Sequence, residues 1–150
     1  MASNVRTTAG STIAISANQP ASYDASGFGD LTFTTISDVT DLGEFGRTYN
    51  LVTHNPIADR RTVKRKGSFN DGAVSMQLGR DGTDAGQQAG YDALDTDDSV
   101  SIEITLQSGT KLYFTVQVMS FTYNLGNVDS ITGGSISMEI DNDIVVVNTP

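Results

Sequence analysis

The chain has 150 residues, no cysteine, no tryptophan, one histidine and a formal charge of −9. That length suits one domain able to bury roughly 68–70% of the surface it exposes when unfolded, so folding needs neither a disulfide nor a metal. The missing cysteines exclude thiolate sites and fit a reducing cytoplasm, and the acidity argues against general nucleic-acid binding, where phosphate neutralisation dominates affinity.

Residues 1–8 hold no apolar core, so no signal peptide is expected, and no stretch approaches the ~18 apolar residues of a bilayer span. Residues 12–16, 31–36 and 39–45 read as strands. Residues 18–30 are rich in Ser, Ala and Gly and resist packing. The polar stretch 46–59, with Asn55-Pro56, predicts a long loop at about 46–60 carrying Arg47 and His54. Strands follow at 61–66 and 74–78, separated by an Asn70-Asp71-Gly72 turn.

One helix is predicted over 84–94, capped by Thr83 or Asp84, with Ala85, Ala89 and Leu94 toward a sheet. Gly86 and Gly90 weaken it by about 1 kcal/mol each relative to alanine, so it depends on tertiary packing. The strongest period-2 signals come last. Val100, Ile102, Ile104 and Leu106 alternate with polar residues, as do Leu112, Phe114, Val116 and Val118, and Ile136, Met138 and Ile140. Gln107-Ser108-Gly109-Thr110 is a hairpin turn between the first two runs, and Gly133-Gly134 predicts a bulge entering the third. The β-branched run 144–147 is expected to add to a sheet, its own or a neighbour's.

Charge is unevenly placed. Arg60, Arg61, Lys64, Arg65 and Lys66 are five of the nine basic residues, whereas the other 143 positions hold four basic residues against all eighteen acidic ones. The electrostatic partner of such a segment is another copy of the same acidic chain. The plainer reading is an edge strand protected by charge.

Chemistry is scarce. His54 has no nucleophile-elbow serine to serve, and the chain offers no His/Cys cluster for zinc. Asp95, Asp97 and Asp98, like Asp141 and Asp143, miss the spacing of a calcium loop. Gly27-Phe28-Gly29 is no dinucleotide fingerprint. No cofactor, no metal and no enzymatic activity are expected.

The order of parts resembles the major tail tube proteins of lambda-like, long-tailed bacteriophages. The resemblance rests on Arg65-Lys66-Gly67-Ser68-Phe69-Asn70-Asp71-Gly72, then Leu78-Gly79-Arg80-Asp81, then Asp84-Ala85-Gly86-Gln87-Gln88. It continues in the run from Tyr113 to Phe121 with Ser130-Ile131-Thr132, and in Thr35-Ile36-Ser37-Asp38-Val39-Thr40. It implies a mainly β fold, an antiparallel sandwich or barrel flanked by one short helix, forming a single domain over 1–150. It further implies hexameric rings stacked into a hollow conduit around a tape-measure protein, closed by tail terminator and baseplate or tip proteins. Such a protein is made in the bacterial host cytoplasm and resides in the virion tail. DNA passes through the lumen without specific binding, and no membrane is involved.

On that reading Glu103, Gln117, Ser137, Glu139 and Asp141, on wet strand faces, point into the lumen and repel phosphate. Arg47, His54, Arg60, Arg61, Lys64, Arg65 and Lys66 make inter-subunit contacts. The alternative is a β-sandwich module binding carbohydrate, for which Tyr23, Phe28 and Tyr49 in loops are the only hint.

Overall fold

A computed structural model describes residues 5–148. The elements in chain order are β1 (Thr12–Ser16), α1 (Ala25–Gly29), β2 (Thr34–Ile36), β3 (Val39–Asp41), β4 (Thr48–His54), β5 (Val63–Asn70) and β6 (Ala73–Gly79). They continue with α2 (Ala85–Ala93), β7 (Val100–Thr105), β8 (Lys111–Asn124), β9 (Gly133–Ile140) and β10 (Val145–Val147). The fold is mainly β and antiparallel, as the alternation predicts.

Eight strands form one sheet in the order β2-β1-β7-β8-β9-β6-β3, with β10 paired to the N-terminal part of β8. The terminal strands of that path, β2 and β3, are neighbours in sequence. Ile36 and Val39 are three Cα steps apart, so the two edges come within about 11 Å of each other. The sheet therefore rolls into an open barrel. Its interior is a single apolar core to which both ends contribute, with Ile13 and Ile36 from one side and Met76 and Leu78 from the other, around Phe114, Val116, Ile136 and Met138.

Helix α2 sits where the barrel edges meet. Asp84 caps it, its carboxylate accepting from Gln87 N at 2.9 Å and from Ser37 N at 3.1 Å. Gly86, Gly90 and Ala93 face inward, while Ala85 is exposed, contrary to expectation. The reason is close approach: a Cβ on Gly86 would stand 2.2 Å from the Thr35 carbonyl oxygen. The glycines that lower intrinsic helicity let the helix backbone rest on the β2 backbone. Fully buried Gln87 plugs the seam. Its Nε2 donates to Ser37 O at 3.0 Å and to Gly79 O at 2.9 Å, and its Oε1 accepts from Asp81 N and Arg80 Nη1, each at 3.0 Å.

Three features depart from the sequence reading. Residues 25–29 form a helical turn, α1, and Phe28 within it is fully buried, stacked 5.4 Å from Tyr113. Gly133-Gly134 is regular strand, and the irregularity lies on β8 between Val118 and Ser120. Gly134 is needed because a Cβ there would lie 2.9 Å from Thr122 O across the ladder. Finally, the first half of the predicted loop 46–60 is strand β4, paired with β5 in a separate two-stranded sheet.

Candidate interaction surfaces

Hairpin β4–β5 is an arm that pairs with no strand of the barrel. Nearly all of its residues are exposed. Cross-strand partners Leu51 and Lys66, Thr53 and Lys64, share one face with Tyr49 and Phe69; Val52 and Arg65, His54 and Val63, share the other. On the first face the Tyr49 and Phe69 rings lie 5.4 Å apart, with Lys66 Nζ 4.8 Å above Tyr49. On the second, a bulge after Tyr49 places Asn50 against Ser68, with Nδ2 donating to Oγ at 2.9 Å. Turn residues 55–62 carry Arg60 and Arg61, and Arg61 N donates to Asp59.

Isolated two-stranded hairpins are marginal in water. This one is anchored at its root by Arg47, which donates through Nε to Asp71 at 2.9 Å and through Nη2 to Asp143 at 2.6 Å, and lies 4.1 Å over Phe69. Asp71 foremost, then Tyr49, raises the affinity of that guanidinium for its proton. Arg47 thus serves its own subunit. The other six residues expected at subunit contacts, His54, Arg60, Arg61, Lys64, Arg65 and Lys66, all lie on the arm. None of the five cations among them joins an ion pair among the described residues, where the pairs are Arg47–Asp71, Arg47–Asp143 and Lys111–Glu103.

The outward face of the barrel divides the five residues expected at the lumen. Gln117 and Glu139 are direct cross-strand partners, and Ser137 lies between Ser75 and Ser120, so these three form one polar strip on β6, β8 and β9. Asp141 is exposed yet engaged: it accepts from Thr115 Oγ1 at 2.5 Å and from the Ser99 hydroxyl, which also accepts from Gln117 Nε2 at 2.9 Å. Glu103 is half-buried opposite Tyr113 and pairs with Lys111 at 3.8 Å. Burial first, then Glu103, pushes the Tyr113 phenol above its ordinary pKa.

Of the exposed apolar side chains on the arm and in the β8–β9 connection, sequence reading singled out only Tyr49 and missed the rest. Tyr49, Leu51, Val52 and Phe69 stand on the arm, and Leu125, Val128 and Ile131 stand in the connection from β8 to β9. The signal was present, since Leu, Val and Ile inside a Gly-Asn-Asp-Ser turn have no fold-internal reason. These two groups are at opposite ends of β6. The arm leaves from Asp71, whereas the β8–β9 connection meets Arg80, whose N donates to Thr132 O at 2.8 Å. Seven residues of strand separate the ends, about 20 Å.

The aromatics named for carbohydrate do not form a platform. Phe28 is interior, Tyr23 packs edge-on against it at 6.1 Å, and Tyr49 belongs to the arm. A half-open cleft of about 710 Å³ runs along residues 8–13 and 35–43, lined by hydroxyl and aliphatic residues, with Asp38 and Asp41 as its carboxylates. Among the described residues no group of three or more His, Cys, Asp or Glu is placed to hold a metal. No helix there is long and apolar enough to cross a membrane.

No family description and no curated protein matches the sequence. Solved structures do match the fold. A chain of "Cryo-EM structure of the anti-feeding prophage (AFP) baseplate, 6-fold symmetrised" superposes with a TM-score of 0.75 at 10% identity, over 98% of this chain and 97% of that one. A chain of an extracellular contractile injection system, "PVC sheath/tube terminator in extended state", gives 0.72 at 9% identity, over 99% and 100%. A chain of "Tail of empty GTA particle computed with helical refinement, C6 symmetry" gives 0.65 at 13% identity, over 91% and 95%. The architecture is thus shared, over 91–99% of this chain, with components of tails and injection machines.

Proposed function

We propose that this chain is a tail tube subunit of the kind found in lambda-like long-tailed bacteriophages, six copies closing into a ring and rings stacking into a hollow conduit. The observation that carries this reading is the arm. A basic, partly apolar hairpin with both faces in water is a poor solution for a lone subunit and a good one for a subunit that docks on others. Among the described residues the cations it carries have no acidic partner in their own subunit, on a chain that is otherwise strongly acidic.

Two neighbours bear sixfold symmetry in their descriptions, which supports a ring of six. Placing the arm and the Leu125–Val128–Ile131 group at opposite ends of β6 suits heterologous, head-to-tail contacts, which propagate along an axis. In such a tube the Gln117–Ser137–Glu139 strip, with Glu103 and Asp141 beside it, faces the lumen. A carboxylate on that strip, repeated six times per ring, repels passing phosphate. The role is structural, exercised in the virion tail with a tape-measure protein inside and terminator and baseplate proteins at the ends.

Negative-stain electron microscopy of the purified, concentrated protein tests this directly. Hollow rods or rings are expected. A protein that stays monomeric up to millimolar concentration, with no rings on the grid, overturns the reading.

A further inference from the structure

The outer part of the arm carries side chains of two kinds and offers neither to the barrel. Ile57, in the turn 55–62, is fully exposed, and Leu51 and Val52 behind it are 66% and 51% exposed. Arg60 and Arg61 share that turn, and Lys64, Arg65 and Lys66 follow on β5, all of them exposed. The two kinds are mixed on both faces, Leu51 with Lys64 and Lys66 on one and Val52 with Arg65 on the other.

Charge on the arm is local. Residues 48–70 hold five Lys or Arg against one carboxylate, Asp59, a balance of +4, which leaves −13 on the rest of the chain. From Thr48 to His54 the strand advances about 20 Å, which exceeds two Debye lengths of about 8 Å at physiological ionic strength. The tip is therefore screened from the acidic barrel and attracts anions on a chain that is acidic as a whole.

The apolar residues identify the anion. Nucleic acid satisfies the cations but presents phosphate, sugar and base edges, which give Ile57, Leu51 and Val52 little to bury against. The aromatics of the arm, Tyr49 and Phe69, lie at its root and pack on each other, so the tip has no base-stacking platform. A rigid protein surface covers one face of a hairpin. A lipid headgroup layer is fluid and surrounds an inserted tip on every side, with phosphates for the cations and acyl chains for the aliphatics.

We propose that the tip of an undocked arm inserts into the headgroup layer of an anionic lipid bilayer. Ile57 reaches the acyl boundary, Arg60, Arg61 and Lys64 lie at the phosphates, and Leu51 and Val52 close in behind them. Depth is limited to the turn, because β4 and β5 pair only with each other and their outer edges carry backbone groups that hydrocarbon does not accept. The resemblance drawn from the sequence implies no membrane contact, and this surface adds one. It stands apart from the tail-tube reading, since it concerns an arm that no other subunit holds.

The chain has no cysteine, so Ile57→Cys and Val128→Cys each provide a single thiol for an environment-sensitive fluorophore, Val128 being exposed in the β8–β9 connection at the other end of β6. Each labelled chain, at submicromolar concentration, is mixed with vesicles of phosphatidylcholine alone or with an equal part of phosphatidylglycerol. The Ile57 label should shift to the blue with phosphatidylglycerol only, and the Val128 label should not shift. No response at Ile57, an equal response to both vesicle types, or a response at Val128 instead overturns the proposal. Co-flotation of the unlabelled chain with the same vesicles is the second measurement. The parent should float with phosphatidylglycerol vesicles at low salt and be released as salt is raised. Arg60→Gln combined with Arg61→Gln should lower that partition about 25-fold, about fivefold for each basic residue, and Ile57→Asp about tenfold or more. Unchanged flotation of Ile57→Asp would reduce the contact to adsorbed charge and refute insertion.

Discussion

Arg47 and Asp143 are 96 residues apart and meet at 2.6 Å. The same guanidinium reaches Asp71, so one side chain joins the start of β4, the turn after β5 and the segment leading into β10. Charge-assisted hydrogen bonds of this kind set orientation as well as energy. Along the rest of the arm, the two strands are held by their own ladder, by ring contacts and by the Asn50–Ser68 hydrogen bond.

Replacing Arg47 with alanine should therefore loosen the arm and leave the barrel intact. Amide exchange at Thr48–His54 should accelerate, while exchange in β7–β9 stays as in the parent. Asp143→Asn, which leaves the Asp71 bond, should have a smaller effect. Equal protection of the arm in parent and Arg47→Ala would show that Arg47 is not its anchor.

Gln87 makes the opposite prediction, a large effect on the barrel. Alanine there leaves Ser37 O, Gly79 O and Asp81 N without partners at a buried seam. At about 1–3 kcal/mol for each stranded group that is roughly 3 kcal/mol or more. A chain of this size loses about 2–4 °C of melting temperature per kcal/mol, so a fall of about 6–12 °C is expected. Gly86→Ala should be at least as damaging, because its Cβ meets backbone. A calorimetric shift below 2 °C for both would refute the account of the seam.

Much of the barrel was legible because the core-facing side of its strands is apolar and the other side is mostly polar. Gly133–Ile140 buries every second residue, and Val100, Ile102 and Ile104 on β7 and Phe114, Val116 and Val118 on β8 keep the same period, although Ser101, Tyr113 and Thr115 on the other side are buried as well. Thr48–His54 was not legible as a strand for the converse reason. With both faces in water nothing selects an alternation, and its pairing with β5 is a non-local fact. Gly86 and Gln87 stood out as a pattern, but their purpose needs the Thr35 backbone, fifty residues away in sequence. Arg47 was read by its charge as a contact for a neighbour, and the acids it serves, Asp71 and Asp143, are brought to it by the fold.

Tyr113 gives a pH prediction. Its phenol is buried beneath Phe28 and beside Glu103, and its folded pKa is raised. A group whose folded value exceeds its unfolded value, about 10 for tyrosine, contributes stability that is complete below pH 10 and is lost as pH climbs through the folded value. Alkaline unfolding should therefore begin as Tyr113 ionises. With no tryptophan in the chain, tyrosinate absorbance reports this cleanly. A late ionisation step should be present in the parent and missing in Tyr113→Phe. Identical titrations would contradict the burial argument.

Glu139 tests the conduit. It is exposed opposite Gln117 on a strand whose alternate residues fill the core, so lysine fits without disturbing the fold. Glu139→Lys should keep the parent melting temperature within about 1–2 °C, as surface changes usually do. Tubes of the variant should retain short DNA on sedimentation at low salt, and parent tubes should not. Release at high salt would follow from screening. Failure of the variant to assemble would place Glu139 in a subunit contact instead of the lumen.

The basic run separates a subunit that docks from a barrel that merely protects an edge. If Lys64, Arg65 and Lys66 only keep β5 from pairing promiscuously, glutamate does that as well as lysine. If they meet acidic surface on other copies, the triple change to glutamate converts attraction into repulsion at every joint. Exposed pairs are worth about 0.2–1 kcal/mol each, so one contact would tolerate the change. A tube repeats the contact six times per ring and again at each ring, and the terms accumulate. The variant should therefore melt like the parent, because these residues make no ion pair with any described residue of their own chain, and should form no rods. Salt supplies the independent check: raising it shortens the Debye length from about 8 Å toward 3 Å, so parent assembly should slow. It should also partly restore association of the variant, whose defect is repulsion. Normal rods from the variant at low salt would sink the docking role of the arm, and a collapsed melting temperature would assign the run to the subunit's own stability.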